Sequence, residues 1–257
     1  MSIDSKAVIV TGAAGGLGSS AVRLLAARGV NVTCVDRDGE ALAALVNQLT
    51  PDVPGQLLPA PADVGEPEQV QRVVDETVGR FGGVDGLYNI AGLEGKLLSI
   101  EVTPVEEFDA VMWVNVRGTW LFMKYALPHL VARGGGAIVN VGSYQATHGK
   151  ANCSAYSGSK HAIVGMTRSI ALEYATQSVR ANVVCPGAMD TRMIRTMMAS
   201  LDPDDPSKGE RQLLADIPQG RMGQTTEVAA VGIWLILDAP HHLTGQVITV
   251  DGGKSAA

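Results

Sequence analysis

Tyr156 and Lys160, in the run Tyr156-Ser157-Gly158-Ser159-Lys160, are the residues of this chain whose types and spacing most directly suggest chemistry. In a helix, a separation of four puts two side chains on one face one turn apart, so the ammonium comes to lie under the phenol oxygen. A free phenol titrates near about 10 and is a poor base at neutral pH, whereas a fixed cation beside it favours phenolate and brings the pKa toward the working range. A tyrosine held in this way exchanges protons with an alcohol. The same spacing also occurs on ordinary solvated helix faces, so the weight of the pair depends on what surrounds it.

The most informative surrounding is at the other end of the chain. Val8-Ile9-Val10 leads into Thr11-Gly12-Ala13-Ala14-Gly15-Gly16-Leu17-Gly18 and then into a helical pattern. Glycines at 12, 16 and 18 let the backbone turn tightly and approach a pyrophosphate, whose charge is received by amides at the helix N-terminus. Asp36 ends the second apolar run, close to the offset at which an acid meets an adenosine ribose. A carboxylate there bonds the 2'-hydroxyl and repels a 2'-phosphate, which favours NAD; Arg37 next to it is a guanidinium that could instead pair with that phosphate. Asp63-Val64 after the third run and Asn89-Ile90-Ala91-Gly92 after the fourth offer small residues and amides to an adenine and ribose.

Positioning these groups requires a particular architecture. Short apolar runs at 7–10, 32–35, 57–60, 86–89, 137–141, 181–184 and 247–250 read as buried parallel strands. Helical periodicity fills the intervals at 17–28, 39–49, 67–81, 105–132, 154–176 and 226–237. Repeated β-α units with right-handed crossovers wind into an open sheet with helices on both faces, and ligands bind at the carboxyl ends of the strands. The expectation is a single α/β domain of the Rossmann type with seven parallel strands. A hydrophobic content of 46% with thirty glycines in 257 residues agrees with this class.

Composition also excludes partners. A net charge of -6 without a Lys/Arg cluster argues against nucleic acid and anionic membrane surfaces. No apolar run reaches spanning length, and the polar start Met1 to Lys6 runs straight into a strand, so a cytoplasmic protein is expected. Cys34, Cys153 and Cys185 are odd in number and lack metal-ligand spacing, which points to reduced thiols and no metal site.

In order along the chain, the glycine turn, Asp63-Val64, Asn89 to Gly92, Asn115, Ser143, Tyr156 with Lys160, Pro186-Gly187 and Val250-Asp251-Gly252-Gly253 resemble the short-chain dehydrogenase/reductase family over essentially the whole length. The resemblance implies a sheet order of 3-2-1-4-5-6-7, a nicotinamide cofactor and a homotetramer built partly from the fourth and fifth helices. It implies Tyr156 as general acid/base, Lys160 on the nicotinamide ribose lowering the tyrosine pKa, Ser143 polarising the carbonyl, and Asn115 supporting a water in a proton relay. Pro186, Gly187 and Thr191 match the segment that contacts the carboxamide. Ile90 stands where the family often has a second asparagine. Oxidising a secondary alcohol removes a hydroxyl proton while hydride leaves carbon, and a phenolate, a serine hydroxyl and a nicotinamide supply the base, the oxygen-holder and the acceptor.

On the substrate side, Met189, Met193, Ile194, Met197 and Met198 lie where the family places a lid, here at about 188–215, and flexible thioethers suit an adaptable apolar pocket. Glu94 in Gly92-Leu93-Glu94-Gly95-Lys96 is similar to members that act on cyclic ketones, alcohols and diols. Of the histidines only His148, in the loop after Ser143, is placed to face a substrate. Two other readings compete: a 3-oxoacyl carrier-protein reductase, which would want a basic docking face and a basic residue in place of Asp36, and a catalytically silent dinucleotide sensor, which would have lost Tyr156 or Lys160.

Overall fold

The computed structural model describes residues 6–191, 194 and 206–256. The seven apolar runs form strands β1 (Ala7–Thr11), β2 (Asn31–Asp36), β3 (Leu57–Pro61), β4 (Gly86–Asn89), β5 (Gly136–Val141), β6 (Val179–Pro186) and β7 (Val247–Val250). All residues of β1 and all but the last of β6 are buried, as a strand covered on both faces must be. The strands pair in the order β3-β2-β1-β4-β5-β6-β7, each neighbouring pair parallel. The order reverses between β1 and β4, so their carboxyl ends open a crevice.

The helices are α1 (Gly16–Ala27), α2 (Gly39–Leu49), α3 (Pro67–Phe81), α4 (Val105–Met112), α5 (Thr119–Ala132), α6 (Ser154–Glu173), α7 (Pro206–Ala215) and α8 (Thr225–Leu237). Local chemistry sets several of their ends. Asp38 accepts the Ala41 amide at the start of α2, Pro67 opens α3, Gly82 ends α3 in the left-handed region, and Gln224 with Glu227 forms a reciprocal cap on α8. One apolar cluster joins α1, α2 and α8 to one face of the sheet. A second joins α3, α5 and α6 to the other.

The structure departs from the sequence expectation in three places. The run 105–132 is not one helix: a π-helical segment at Trp113–Gly118 separates α4 from α5. A wider turn accommodates Asn115, a buried polar residue whose side chain is turned inward onto neighbouring elements, where a regular apolar helix face would need a hydrocarbon. The run 154–176 ends at Glu173, and a 3-10 turn at Ala175–Gln177 with Ser178 at φ 58° leads into β6. Helix α7 lies outside the expected helical intervals.

Helix α8 packs so closely that a Cβ on Gly232 would collide with the ring of Tyr88, which is fully buried and donates its hydroxyl to the Val228 carbonyl. Gly232→Ala is therefore expected to destabilise the fold by about 1–3 kcal/mol, the range for overpacking. Gly79→Ala, on the open face of α3 with nothing within 4 Å of the added Cβ, should stabilise it by roughly 0.5–1 kcal/mol. Chemical denaturation of the two variants beside the parent checks both signs.

Candidate active site

At the carboxyl ends of β1 and β4 the chain comes together on Thr11, whose hydroxyl oxygen accepts the amides of Ile90 and Ala91 at 3.0 and 3.1 Å. Gly12, at φ +66°, lies so close that an added Cβ would sit 2.9 Å from the Ala91 backbone, and one on Gly18 would run into the Gly12 carbonyl. Only glycine permits this crossing. Beside it opens a cleft of about 850 Å³. Gly12, Gly16, Leu17 and Gly18 line one end of it. No side chain caps α1 and no acidic residue occupies its first turn, so its leading amides are left for an anion.

Asp36 and Arg37 follow along the same wall. The Asp36 carboxylate accepts the amides of Ala14 at 3.0 Å and Asp38 at 3.2 Å, which fixes it at the mouth of the turn, while Arg37 is exposed. Asp63, Val64, Ala91 and Gly92 continue the lining, and Pro186, Gly187 and Thr191 close it from the end of β6. The position of Gly187 depends on close contact with Asp251, whose Cα a Cβ would approach to 2.8 Å. Asn89 is different. It is buried behind the wall, donating its amide to Asn140 Oδ1 at 2.8 Å, and does not border the cleft.

Ser143, Tyr156 and Lys160 meet at the opposite end. Tyr156 and Lys160 stand in the first turns of α6, and the lysine Nζ lies 5.5 Å from the phenol ring centroid. Lys160 is buried and donates to the Val141 carbonyl at 2.9 Å. Ser143 ends the turn after β5, where its hydroxyl oxygen accepts the Gln145 amide at 3.2 Å; Gln145 is itself held by the Ser157 hydroxyl at 2.7 Å. Asn115 lies behind these residues. Its Oδ1 accepts the Leu93 amide at 2.7 Å, and its Nδ2 donates to the Leu93 carbonyl and to Ser159 Oγ, each at 2.9 Å. Ser159 donates in turn to the Tyr156 carbonyl at 2.7 Å. The Asn115 side chain is thus fully engaged in fixing the loop after β4 to α6.

The electrostatics correct one expectation. Burial pushes the Tyr156 phenol up from its ordinary value, with the hydrogen bond from Ser143 acting in the opposite direction and the nearby Glu94, Cys153 and Cys185 raising it further. The lowering expected from Lys160 does not outweigh this. The same burial pulls the lysine down to about 8. Both groups are pressed toward neutrality by their surroundings.

His148 also departs from its expected place. Its ring stacks on Tyr144, with centroids 4.2 Å apart, and Tyr144 rather than His148 borders the cleft. Glu94, Met189 and Ile194 do border it. Met193, Met197 and Met198 lie outside the described residues, as do residues 192 and 195–205 of the expected lid in general. Sequence reading missed several residues of the cleft wall: Lys150, Leu213 in α7, Asp216 just after it, and Lys254, which is 3.3 Å from Asp216 and 5.2 Å from the Tyr144 ring centroid. Only the apolar spacing within 206–215 could have indicated α7. Among the described residues there is no cluster of side chains that could hold a metal.

The family model described as "Enoyl-(Acyl carrier protein) reductase" matches residues 12–255. Levodione reductase from Leifsonia aquatica is 37% identical over 98% of this chain and 95% of its own. A crystal structure of levodione reductase superposes with a TM-score of 0.93, covering 98% of both chains. The 3-oxoacyl-[acyl-carrier-protein] reductase of Thermotoga maritima is 34% identical over 98% and 99%. A 2,5-dichloro-2,5-cyclohexadiene-1,4-diol dehydrogenase from Sphingobium indicum is 35% identical over 99% and 98%. With the sheet order, the glycine crossing and the Ser143, Tyr156 and Lys160 cluster, these likenesses establish that the chain belongs to the short-chain dehydrogenase/reductase family, oxidoreductases that use a nicotinamide dinucleotide.

Proposed function

We propose that this enzyme interconverts a compact cyclic secondary alcohol or diol and its ketone, using NAD in preference to NADP. The observation that carries the reading is the meeting of Ser143, Tyr156 and Lys160 at one end of a cleft whose other end is the uncapped α1 turn. The dinucleotide supplies the hydride acceptor when bound; its diphosphate is suited to the first-turn amides of α1, and its adenosine ribose to Asp36.

The remaining steps belong to the chain. Ser143 Oγ donates a hydrogen bond to the reacting oxygen and holds it beside the phenol. Tyr156 Oη takes the hydroxyl proton as the carbinol hydrogen departs as hydride and the carbon-oxygen double bond forms; in reduction it returns the proton. Burial disfavours phenolate, so Tyr156 is the acid in its resting form, and proton removal depends on positive charge brought close to it. Lys160, held at Val141, is the fixed cation of the site. Asn115 positions α6 and the loop after β4 through its side chain, and its support of a relay water is part of this reading.

The relatives that act on cyclic diones and diols support the substrate class, as does the apolar contribution of Met189, Ile194 and Leu213 to the wall. A substrate lid at about 188–215 is part of this reading. The carrier-protein reductase alternative rests on a similar relative, but the acidic chain and Asp36 weigh against it. A homotetramer is proposed as well, because apolar side chains on α4, α5 and α6 are solvent-exposed in the single chain, Val105 at 68% and Leu172 at 82%. No described helix is long and apolar enough to cross a membrane, and we assign the enzyme to the cytoplasm, acting on a small molecule and not on nucleic acid.

Tyr156→Phe keeps the ring and removes the exchangeable proton. Steady-state oxidation of cyclohexanol should fall by about 10²- to 10⁴-fold while NADH binding, followed by fluorescence, is retained. More than about half the parental rate in the mutant would remove Tyr156 from the role of base.

For the cofactor, kcat/KM with NAD should exceed that with NADP by at least about tenfold, equivalent to roughly 1.4 kcal/mol. Asp36→Ala should narrow the gap. Equal or better use of NADP by the parent enzyme would show that Arg37 governs the ribose end.

A further inference from the structure

We propose that Glu94 makes this enzyme selective for vicinal diols, its carboxylate accepting a hydrogen bond from the hydroxyl next to the one oxidised. The inference rests on the alcohol-dehydrogenase reading above and specifies its substrate class.

Glu94 has a fixed root. On one side Leu93 is clamped by both ends of the Asn115 amide. On the other, Gly95 turns at φ +76° and the Lys96 amide donates to Glu107 Oε1 at 2.9 Å. The side chain between these anchors is half-buried and borders the main cleft together with Tyr156; the same two residues also border a small recess formed with Cys153, Ser154 and Ala155. The carboxylate is close enough to the phenol for its charge to raise the Tyr156 pKa. Among the described residues no donor makes a hydrogen bond to it. Burial pushes its own carboxyl up, and the charge of Lys150, which also borders the cleft, favours the ionised form.

An ionised carboxylate only accepts hydrogen bonds. With the reacting oxygen held by Ser143 and Tyr156, a neighbouring hydroxyl on the same ring can donate to Glu94, whereas a neighbouring carbonyl would present acceptor to acceptor. A ring lacking the second hydroxyl leaves the carboxylate half-buried and unpaired, and sites built in this way discriminate strongly against the analogue that lacks the donor. The reaction is then diol to α-hydroxy ketone: one carbinol gives up hydride and a proton, the proton going to Tyr156, and the second hydroxyl is unchanged.

The test compares kcat/KM for cis- and trans-1,2-cyclohexanediol with that for cyclohexanol, in the full-length enzyme and in Glu94→Gln and Glu94→Leu. The parent should favour at least one diol over cyclohexanol by roughly tenfold or more, the size expected for a hydrogen bond to a charged group. Glu94→Leu should bring the ratio to about 1, mainly through a higher KM for the diol, and Glu94→Gln, which keeps an acceptor oxygen, should fall between. An unchanged diol-to-cyclohexanol ratio in either folded variant overturns the role of Glu94 while leaving the alcohol-dehydrogenase reading intact. A parent enzyme that oxidises cyclohexanol as well as both diols overturns it too. Turnover of none of the three by the parent overturns the underlying reading, and the proposal with it.

Discussion

The structure is organised around burying an ammonium next to a phenol. Lys160 is almost wholly removed from water, and among the described residues its one hydrogen-bond acceptor is the Val141 carbonyl at the end of β5. Burial draws its pKa down to about 8 and drives that of Tyr156 up, so each group resists the charge that catalysis asks of it. Such a pair is costly to the fold, and it is retained only where the surroundings determine it. The surroundings do so from three directions: β5 supplies the carbonyl, Asn115 and Ser159 fasten the first turns of α6, and Ser157 with Gln145 fastens the turn that carries Ser143. A phenol kept neutral by its environment becomes responsive to any positive charge brought into the cleft. In the proposed mechanism, that responsiveness lets Tyr156 serve as acid in reduction and base in oxidation.

Much of this arrangement is legible in the sequence, for a physical reason. Strands covered on both faces must be continuous apolar runs, so β1 at Val8-Ile9-Val10 and β6 at Ala181 to Val184 are recognisable by composition alone. The glycine crossing is legible because Gly12 and Gly18 stand where a Cβ would meet backbone, a contact no other residue tolerates. The pairing of Tyr156 with Lys160 follows from helical spacing.

What was not legible depends on the third dimension. Periodicity extends through 105–132 without a break, because the π segment inserts its extra residue without a proline or glycine interruption before Gly118; its signal is a lone buried polar residue, Asn115, whose partners Leu93 and Ser159 are distant in sequence. The direction of the Tyr156 shift was misjudged because spacing reveals the neighbouring cation but not the depth of burial, and here desolvation is the larger effect. His148 lies in the expected loop, yet it stacks on Tyr144 and its Nδ1 is hydrogen-bonded with the Thr147 hydroxyl and the Tyr144 carbonyl, and it does not border the cleft. Lys254 and Asp216 approach each other only because the chain end folds back: Asp251 accepts the amides of Gly253 and Ser255, and the Gln219 amide donates to the Gly252 carbonyl.

These differences divide the cleft into halves with distinct construction. The cofactor end is made of strand termini and a glycine crossing, groups whose positions the sheet fixes to within a van der Waals contact. The substrate end is made of a turn after β5, the loop after β4, α7 and the last residues of the chain, joined by side-chain contacts such as Lys254 with Asp216 and Tyr144. Exposed pairs of that kind contribute little to stability, so the residues that form them are free to change without loss of the fold. Within this half Glu94 is the exception: the residues on both sides of it are hydrogen-bonded to other elements, and one of those anchors is the same Asn115 that holds α6. A carboxylate tied to the catalytic helix through a shared asparagine keeps its relation to Tyr156 even if the outer wall moves, as a group that distinguishes substrates must.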